Sequence, residues 1–267
     1  MNDNRFKGGP KVLFADVETS PILAYVWSLW NNDVGLSMVK SDWHLLSWSA
    51  KWMHEKKIMY DDQRNEKDIS NDKRLLKGIW DLLDSCDVLV TQNGKKFDTK
   101  KLNARFVVHG FQPPSSYKQI DTYLIAKNKF GFTSNRLEYM TNLLCKKNKK
   151  SDHKKFPGFS LWEGCLKGNK KAWKEMEKYN KMDVTSLEEL YYKLIPWDNS
   201  INFNVYTDGI SNTCKCGSDE FSKNGFAHTA IGKYRRYKCK KCGAEGRGRK
   251  NELSKEKRDS LTVKITD

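Results

Sequence analysis

The chain has 267 residues, 38% hydrophobic and 12% aromatic, enough to bury a sizeable core, so wholesale disorder is excluded. A mean hydropathy of −0.78, with no apolar run near the ~20 residues of a bilayer span, excludes a membrane helix. The 49 Lys and Arg outnumber the 33 Asp and Glu, for a net charge of +16, and this excess is clustered. From Lys146 to Lys181 there are 12 Lys against 4 acids, a net of +8. From Cys214 to Asp267 there are 15 basic against 7 acidic residues, again +8, which leaves no net charge elsewhere. Two basic blocks are what a polyanion-binding surface requires, and they point to a nucleic-acid partner, DNA or RNA. No apolar stretch follows the N-terminal Met1–Arg5, so a cytoplasmic rather than secreted protein is expected.

In chain order, Lys11 to Glu18 reads as a buried strand. Ile22 to Trp30 reads as a second strand and Asn31 to Asp33 as a turn; Leu45 to Trp52 reads as a third strand. From Asp72 to Leu83 the apolar residues recur with a helical period. Asp87 to Thr91 reads as a short buried strand, and a turn follows at Asn93-Gly94. Asp98 opens a helix to about Val108; a short segment spans Ile120 to Ile125, and Leu137 to Leu144 reads as helix. Lys146 to Lys155 reads as a mobile loop. Lys170 to Leu194 reads as one long helix stopped before Pro196. Strands alternating with helices predict an α/β sheet with helices on its faces.

Three short carboxylate patterns carry the chemistry. Asp16 and Glu18 stand two residues apart on the first strand, so their side chains share a face. Two carboxylates that close repel each other unless a cation such as Mg²⁺ lies between them. Asn93-x-x-x-Phe97-Asp98 follows the Asp87 strand, and Asp98 also suits a helix-capping role. Tyr179-x-x-x-Asp183 puts a phenol and a carboxylate on one helical face, which Leu187, Leu190 and Leu194 continue inward. A carboxylate facing the core needs a partner or a metal.

In this order the three patterns resemble the exonuclease motifs of the DEDD superfamily, and Tyr-x-x-x-Asp is similar to its DEDDy branch. The resemblance covers about Lys11 to Trp197. It implies a ribonuclease H-like mixed five-stranded sheet with flanking helices, and 3′–5′ hydrolysis of phosphodiester bonds with two Mg²⁺ or Mn²⁺ ions. By similarity, Asp16 bridges the metals, Glu18 and Asp183 complete the site of the attacking water, and Asp98 holds the second metal. Tyr179 orients the water, since a phenol of pKa about 10 is a poor base. Asn93 is a candidate for contacting the terminal nucleotide. Asp121 matches a position where relatives carry a similar Asp-Thr, and reads here as a cap or strand-end residue.

Four of the seven cysteines form two close pairs, Cys214/Cys216 and Cys239/Cys242. Cys239-x-x-Cys242-Gly has the form of a zinc knuckle; Cys214-x-Cys216-Gly is one residue shorter. Four thiolates can close a tetrahedral structural Zn²⁺ site. The module resembles the zinc ribbons of transposases and other nucleic-acid proteins, with strands expected over residues 225–230 and 234–239. His228 is the one nearby histidine that offers a substitute ligand. Lys233, Arg235, Arg236, Arg247 and Arg249 surround Tyr234 and Tyr237 and are candidates for phosphate contact.

The expected organisation is a nuclease domain over residues 1–200, a linker over 201–213, a zinc-ribbon-like module over 214–250 and a polar tail over 251–267. The favoured function is a metal-dependent 3′–5′ exonuclease, with DNA the preferred substrate. The alternatives are a structure-selective or RNA-directed nuclease on the same fold, or a non-catalytic nucleic-acid-binding or adaptor protein.

Overall fold

The computed structural model describes residues 9–30, 33–148, 155–208 and 212–262. It forms two compact units, divided after Tyr191. The first carries β1 (Val12–Thr19), β2 (Leu23–Ala24), β3 (Val39–Ser41), β4 (Leu45–Trp52), β5 (Ile58–Asp62), α1 (Lys73–Ser85), β6 (Val88–Thr91) and α2 (Asp98–Val108). It continues through β7 (Lys118–Asp121), α3 (Thr122–Lys129), α4 (Leu137–Leu144), α5 (Ser160–Leu166) and α6 (Lys170–Leu194), whose last turn passes the division. The second carries β8 (Phe221–Thr229), β9 (Gly232–Cys239), β10 (Glu245–Asn251) and α7 (Lys255–Asp259).

The main sheet is mixed and five-stranded, in the order β5-β4-β1-β6-β7. β4 runs antiparallel to β1 and β5, while β6 runs parallel to β1 and β7. This is the ribonuclease H-like sheet that the sequence led us to expect. Alternation on β1 divides the labour between its faces. Leu13, Ala15 and Val17 enter a core with Leu75, Leu76 and Ile79 of α1 and Leu102 and Phe106 of α2. Phe14, Asp16 and Glu18 take the other face, where Phe14 meets Tyr191 of α6 edge-on at 5.3 Å.

β4 is buried almost throughout, but its α6-facing positions are Ser47, Ser49 and Lys51. Lys51 Nζ donates to Glu188 Oε1 on α6 at 2.7 Å, and Ser47 Oγ donates to Asn180 Oδ1 at 3.2 Å. A buried polar face is tolerated because it is paired strand to helix. At the other end of β4, the buried Asp72 accepts from the Leu45 amide at 2.7 Å and from Arg105 Nε at 2.8 Å. That carboxylate ties β4 to α2 from the start of α1.

The expected strand over Ile22 to Trp30 is not present. Only Leu23–Ala24 pairs, with Val39–Ser41, in a separate two-stranded ribbon. β4 and β6 flank β1, so the run does not pair beside the strand it follows. Its apolar side chains stay out, with Trp27 98% exposed. Asn31 and Asn32 of the expected turn lie outside the described residues. So do residues 149–154 of the expected mobile loop, whose start is tied down: the amides of Lys146 and Asn148 each donate to Glu189 at 2.8 Å. The N-terminal Met1–Arg5 likewise lies outside the described residues. No described helix is long and apolar enough to cross a membrane.

One packing contact tests this core. A Cβ on Gly78 of α1 would stand 2.8 Å from Cζ2 of Trp48, whose ring is buried and pinned by an Nε1 hydrogen bond to Leu75 O at 3.0 Å. Gly78→Val should lower stability by about 1–3 kcal/mol, a fall in Tm of roughly 2–4 °C per kcal/mol, measured by thermal unfolding. An unchanged Tm would show that α1 can move away from the sheet at no cost.

Candidate functional site

The two-residue period of β1 sends Asp16 and Glu18 toward α6, and the helical period of α6 sends Asp183 back to meet them. Ligand oxygens of the three carboxylates lie within 4.8 Å of one another. Leu187, Leu190 and Leu194, further along α6, are buried, so this face of the helix does look inward. Acids this close repel unless a cation lies among them, so the trio can hold a hard divalent ion.

Asp98 stands outside that trio. It is the first residue of α2, with Phe97 at the N-cap, and its Oδ1 accepts the Val17 amide at 3.2 Å, between the two carboxylates of β1. Burial pushes its carboxyl up to about 7; its own amide and that of Val17 oppose the rise, and the charges of Asp121 and Asp183 add to it. Asp121 caps α3 through the Tyr123 amide at 3.0 Å and accepts the Asn93 amide at 2.8 Å. It therefore clamps the turn that delivers Asp98, where Asn93 adopts a φ of 61°. Asn93 is placed in that turn between β6 and α2.

Two contributors to the site were not singled out from the sequence. Asn180 is fully buried, and its Nδ2 donates to Asp16 Oδ2 at 2.6 Å. The signal was an amide on the inward apolar face of α6, adjacent to Tyr179. Trp162 of α5 donates from Nε1 to Glu18 Oε2 at 3.2 Å and meets the Tyr179 ring edge-on at 6.0 Å. No local pattern marks Trp162, since its partners are 144 and 17 residues away. Beside it opens a cleft of about 500 Å³ lined by Thr19, Pro21, Trp43, Lys101, Phe159 and Trp162. Lys101 Nζ lies 3.6 Å over the Trp43 ring, so the wall is aromatic and cationic at once.

In the second unit all four paired cysteines converge. The Sγ atoms of Cys214 and Cys242 are 3.5 Å apart, and those of Cys216 and Cys239 are 3.7 Å apart. A disulfide needs about 2.05 Å. Zinc with bonds of about 2.3 Å at tetrahedral angles needs sulfurs about 3.8 Å apart, so the donor set fits that ion. The shorter first pair is accommodated by a turn in which the Gly217 amide donates to Cys214 O at 2.8 Å, with φ of 88° at Gly217. Burial works against the Cys239 thiolate, but amides of Cys242 and Lys241 outweigh it and bring the thiol down to about 7. His228, on β8, is not part of the cluster.

The three-stranded sheet β10-β9-β8 carries the basic candidates. Lys233 Nζ and the Arg235 guanidinium lie 4.1 and 3.9 Å from the Phe226 ring centre. Arg247 lies 4.2 Å over Tyr234. Arg236 donates to Asn224 O at 2.8 Å and pairs loosely with Glu245 at 3.8 Å. Arg249 sits on β10.

A family model described as the RNase_H superfamily matches residues 39–195, well over half of the chain. The chain belongs to the RNase_H superfamily. Among solved structures it is similar to the family B DNA polymerase of the hyperthermophilic archaeon Pyrobaculum calidifontis, with a TM-score of 0.53 and 15% identity. The match covers 70% of this chain and 25% of that one, so the chain spans about a quarter of the polymerase's length. At that identity the likeness concerns the fold. A comparison with curated proteins gives no match.

The raised carboxyl of Asp98 makes a prediction for protein held without Mg²⁺ or Mn²⁺. The folded form keeps this proton to higher pH than the unfolded form. Its contribution to stability is therefore full below the ordinary carboxylate range and lost as pH rises through about 7. Asp98→Asn should remove that loss and raise Tm at pH 8 by several degrees over wild type, with little difference at pH 4. Parallel Tm curves against pH would overturn the burial argument.

Proposed function

We propose that the chain is a metal-dependent 3′–5′ exonuclease that grips nucleic acid with a zinc-bound C-terminal module. The observation that carries the first half is the convergence of Asp16, Glu18 and Asp183, with Asp98 behind them, on a ribonuclease H-like sheet. The 3′–5′ polarity rests on the DEDDy-like motif pattern. Membership of the superfamily supports a nuclease, and the clustered acids supply the carboxylate donors that such chemistry needs.

In this reading Asp16, Glu18 and Asp183 hold divalent cations, with Asp98 serving the second. Such ions activate a water and stabilise the departing oxyanion. Asn180 and Trp162 fix the carboxylates of Asp16 and Glu18 through their donated hydrogen bonds. Tyr179 positions the attacking water with its hydroxyl. The terminal nucleotide enters the cleft beside Glu18, where Trp43, Phe159 and Trp162 take its base and Lys101 a phosphate. In the second unit one Zn²⁺ holds the four thiolates and with them the basic sheet.

A denaturing gel with 5′-labelled single-stranded DNA and RNA tests class, polarity and substrate together. With Mg²⁺ or Mn²⁺ the labelled strand should shorten stepwise from the 3′ end, and chelation should stop it. Asp16→Ala and Asp183→Ala should each abolish cleavage while binding persists. A rate within about tenfold of wild type would remove that residue from the metal site, because removing a ligand costs several kcal/mol of transition-state stabilisation. Tyr179→Phe should slow cleavage on the order of 10²-fold, as for a positioned hydrogen bond.

The grip is tested by salt. Binding by full-length protein should weaken steeply with salt concentration. The double variant Arg235→Gln/Arg249→Gln should flatten the log–log slope by about 0.7–0.9 for each phosphate no longer neutralised. Equal slopes would favour an adaptor role for the module.

A further inference from the structure

The C-terminal unit contains a cleft of about 800 Å³ whose lining holds none of the site carboxylates and a single cysteine of the cluster, Cys214. That size is typical of sites that enclose a small ligand, roughly 300–1,000 Å³. One wall is the sheet, at Phe221, Tyr237, Gly246 and Gly248; the other is formed by Asn199, Ile201, Asn202 and Asn204 together with residues 212–215. Resting on the reading that this unit grips nucleic acid, we infer that the cleft holds an unpaired base of a single strand, stacked on Tyr237.

The two glycines clear the sheet wall. A Cβ on Gly246 would meet nothing within 4 Å, so this part of β10 faces open space. A Cβ on Gly248 would lie 3.6 Å from Cε2 of Tyr237, which places the Tyr237 ring along the strip the glycines leave bare. A flat ligand can approach the backbone there because no side chain stands in its way. Tyr237 is itself 36% exposed. Its neighbouring rings are committed: Phe226 lies under Lys233 and Arg235, Tyr234 lies under Arg247, and Phe221 packs on the cysteines. Among the described residues no cation covers Tyr237.

Part of the opposite wall is tied together by side-chain amides. Asn202 Oδ1 accepts from the Asn204 amide at 3.1 Å and from Asn204 Nδ2 at 2.8 Å. Asn204 Nδ2 also donates to Thr213 O at 3.2 Å, and the Thr213 amide donates back to Asn204 Oδ1. These bonds commit Asn204 and Asn202 Oδ1, while Asn199 and Asn212 also line the cleft. The face of a base, which every base has, can stack on Tyr237 whatever the sequence. Lys215, Arg247 and Arg249 line the cleft and supply charge for the flanking phosphates. Two acids also line the cleft, Asp219 and Glu245, of which Glu245 is occupied by Asn224 Nδ2 at 2.7 Å and by Arg236. A duplex keeps its bases stacked on one another and cannot offer a free face, so the cleft favours single strands.

The test uses the full chain in an Asp16→Ala background, zinc-loaded, with labelled 20-nucleotide single strands and the matching duplex read by fluorescence anisotropy. Stacking on an aromatic is worth about 1–3 kcal/mol per base, or roughly 5- to 150-fold in Kd. Tyr237→Ala should weaken single-strand binding by at least fivefold, leave the duplex within twofold, and leave the salt slope unchanged because no charge is removed. Tyr237→Phe should restore binding, and Gly248→Val, which fills the strip, should reproduce the weakening. Zinc content and thermal unfolding, unchanged in all three, separate these effects from a collapsed module. Single-strand binding within twofold for Tyr237→Ala, or an equal weakening on the duplex, would overturn the inference. Failure of the parent reading shows differently, as a salt slope that Arg235→Gln/Arg249→Gln does not change.

Discussion

The first unit is organised around the cost of burying charge between a sheet and a helix. Asp16 and Glu18, half-buried, and Asp183, buried, meet where β1 faces α6, and three acids at such a distance repel one another without compensation. Much of the surrounding structure supplies it. Asn180 holds Asp16, Trp162 holds Glu18, and the Lys51–Glu188 pair closes the same interface further along. The two serines of β4 are small enough to let the helix approach while still offering hydroxyls to their neighbours. The opposite face of the sheet has no such obligation, and it packs as an ordinary apolar core against α1 and α2.

The clustered carboxylates come from a central strand and from a 25-residue helix. The cleft beside them is lined partly by Thr19 and Pro21, at the end of β1, where the chain leaves the sheet for an exposed apolar arm.

The second unit solves a different problem. Its three strands hold too few apolar residues to make a core of their own, and the cysteine cluster with Phe221 and Ala244 takes that place. The four thiols are brought together only when the strands are, so an ion bound there would be coupled to folding. Lys233, Arg235 and Arg247 lie over aromatic rings, so their stems and rings cover apolar surface while the charged heads stay near water.

The sequence by itself determined the elements whose pattern is local. β4, α2, α4 and α6 fall within a residue of where periodicity and capping put them, because such patterns are written over one contiguous stretch. The acids of the candidate site were legible for the same reason: a period of two on a strand and four on a helix fixes a shared face without knowing the fold. Tertiary structure alone decided whether an apolar run joins a sheet. Ile22 to Trp30 has strand composition, yet only Leu23–Ala24 pairs, with Val39–Ser41, and β4 and β6 flank the strand it follows. β10 shows the converse, since the polar, glycine-rich Glu245–Asn251 becomes a strand because β9 offers it an edge. Tertiary structure also chose the partners. Asn180 and Trp162 matter through hydrogen bonds to residues 164 and 144 positions away, and no local pattern encodes a distance of that kind.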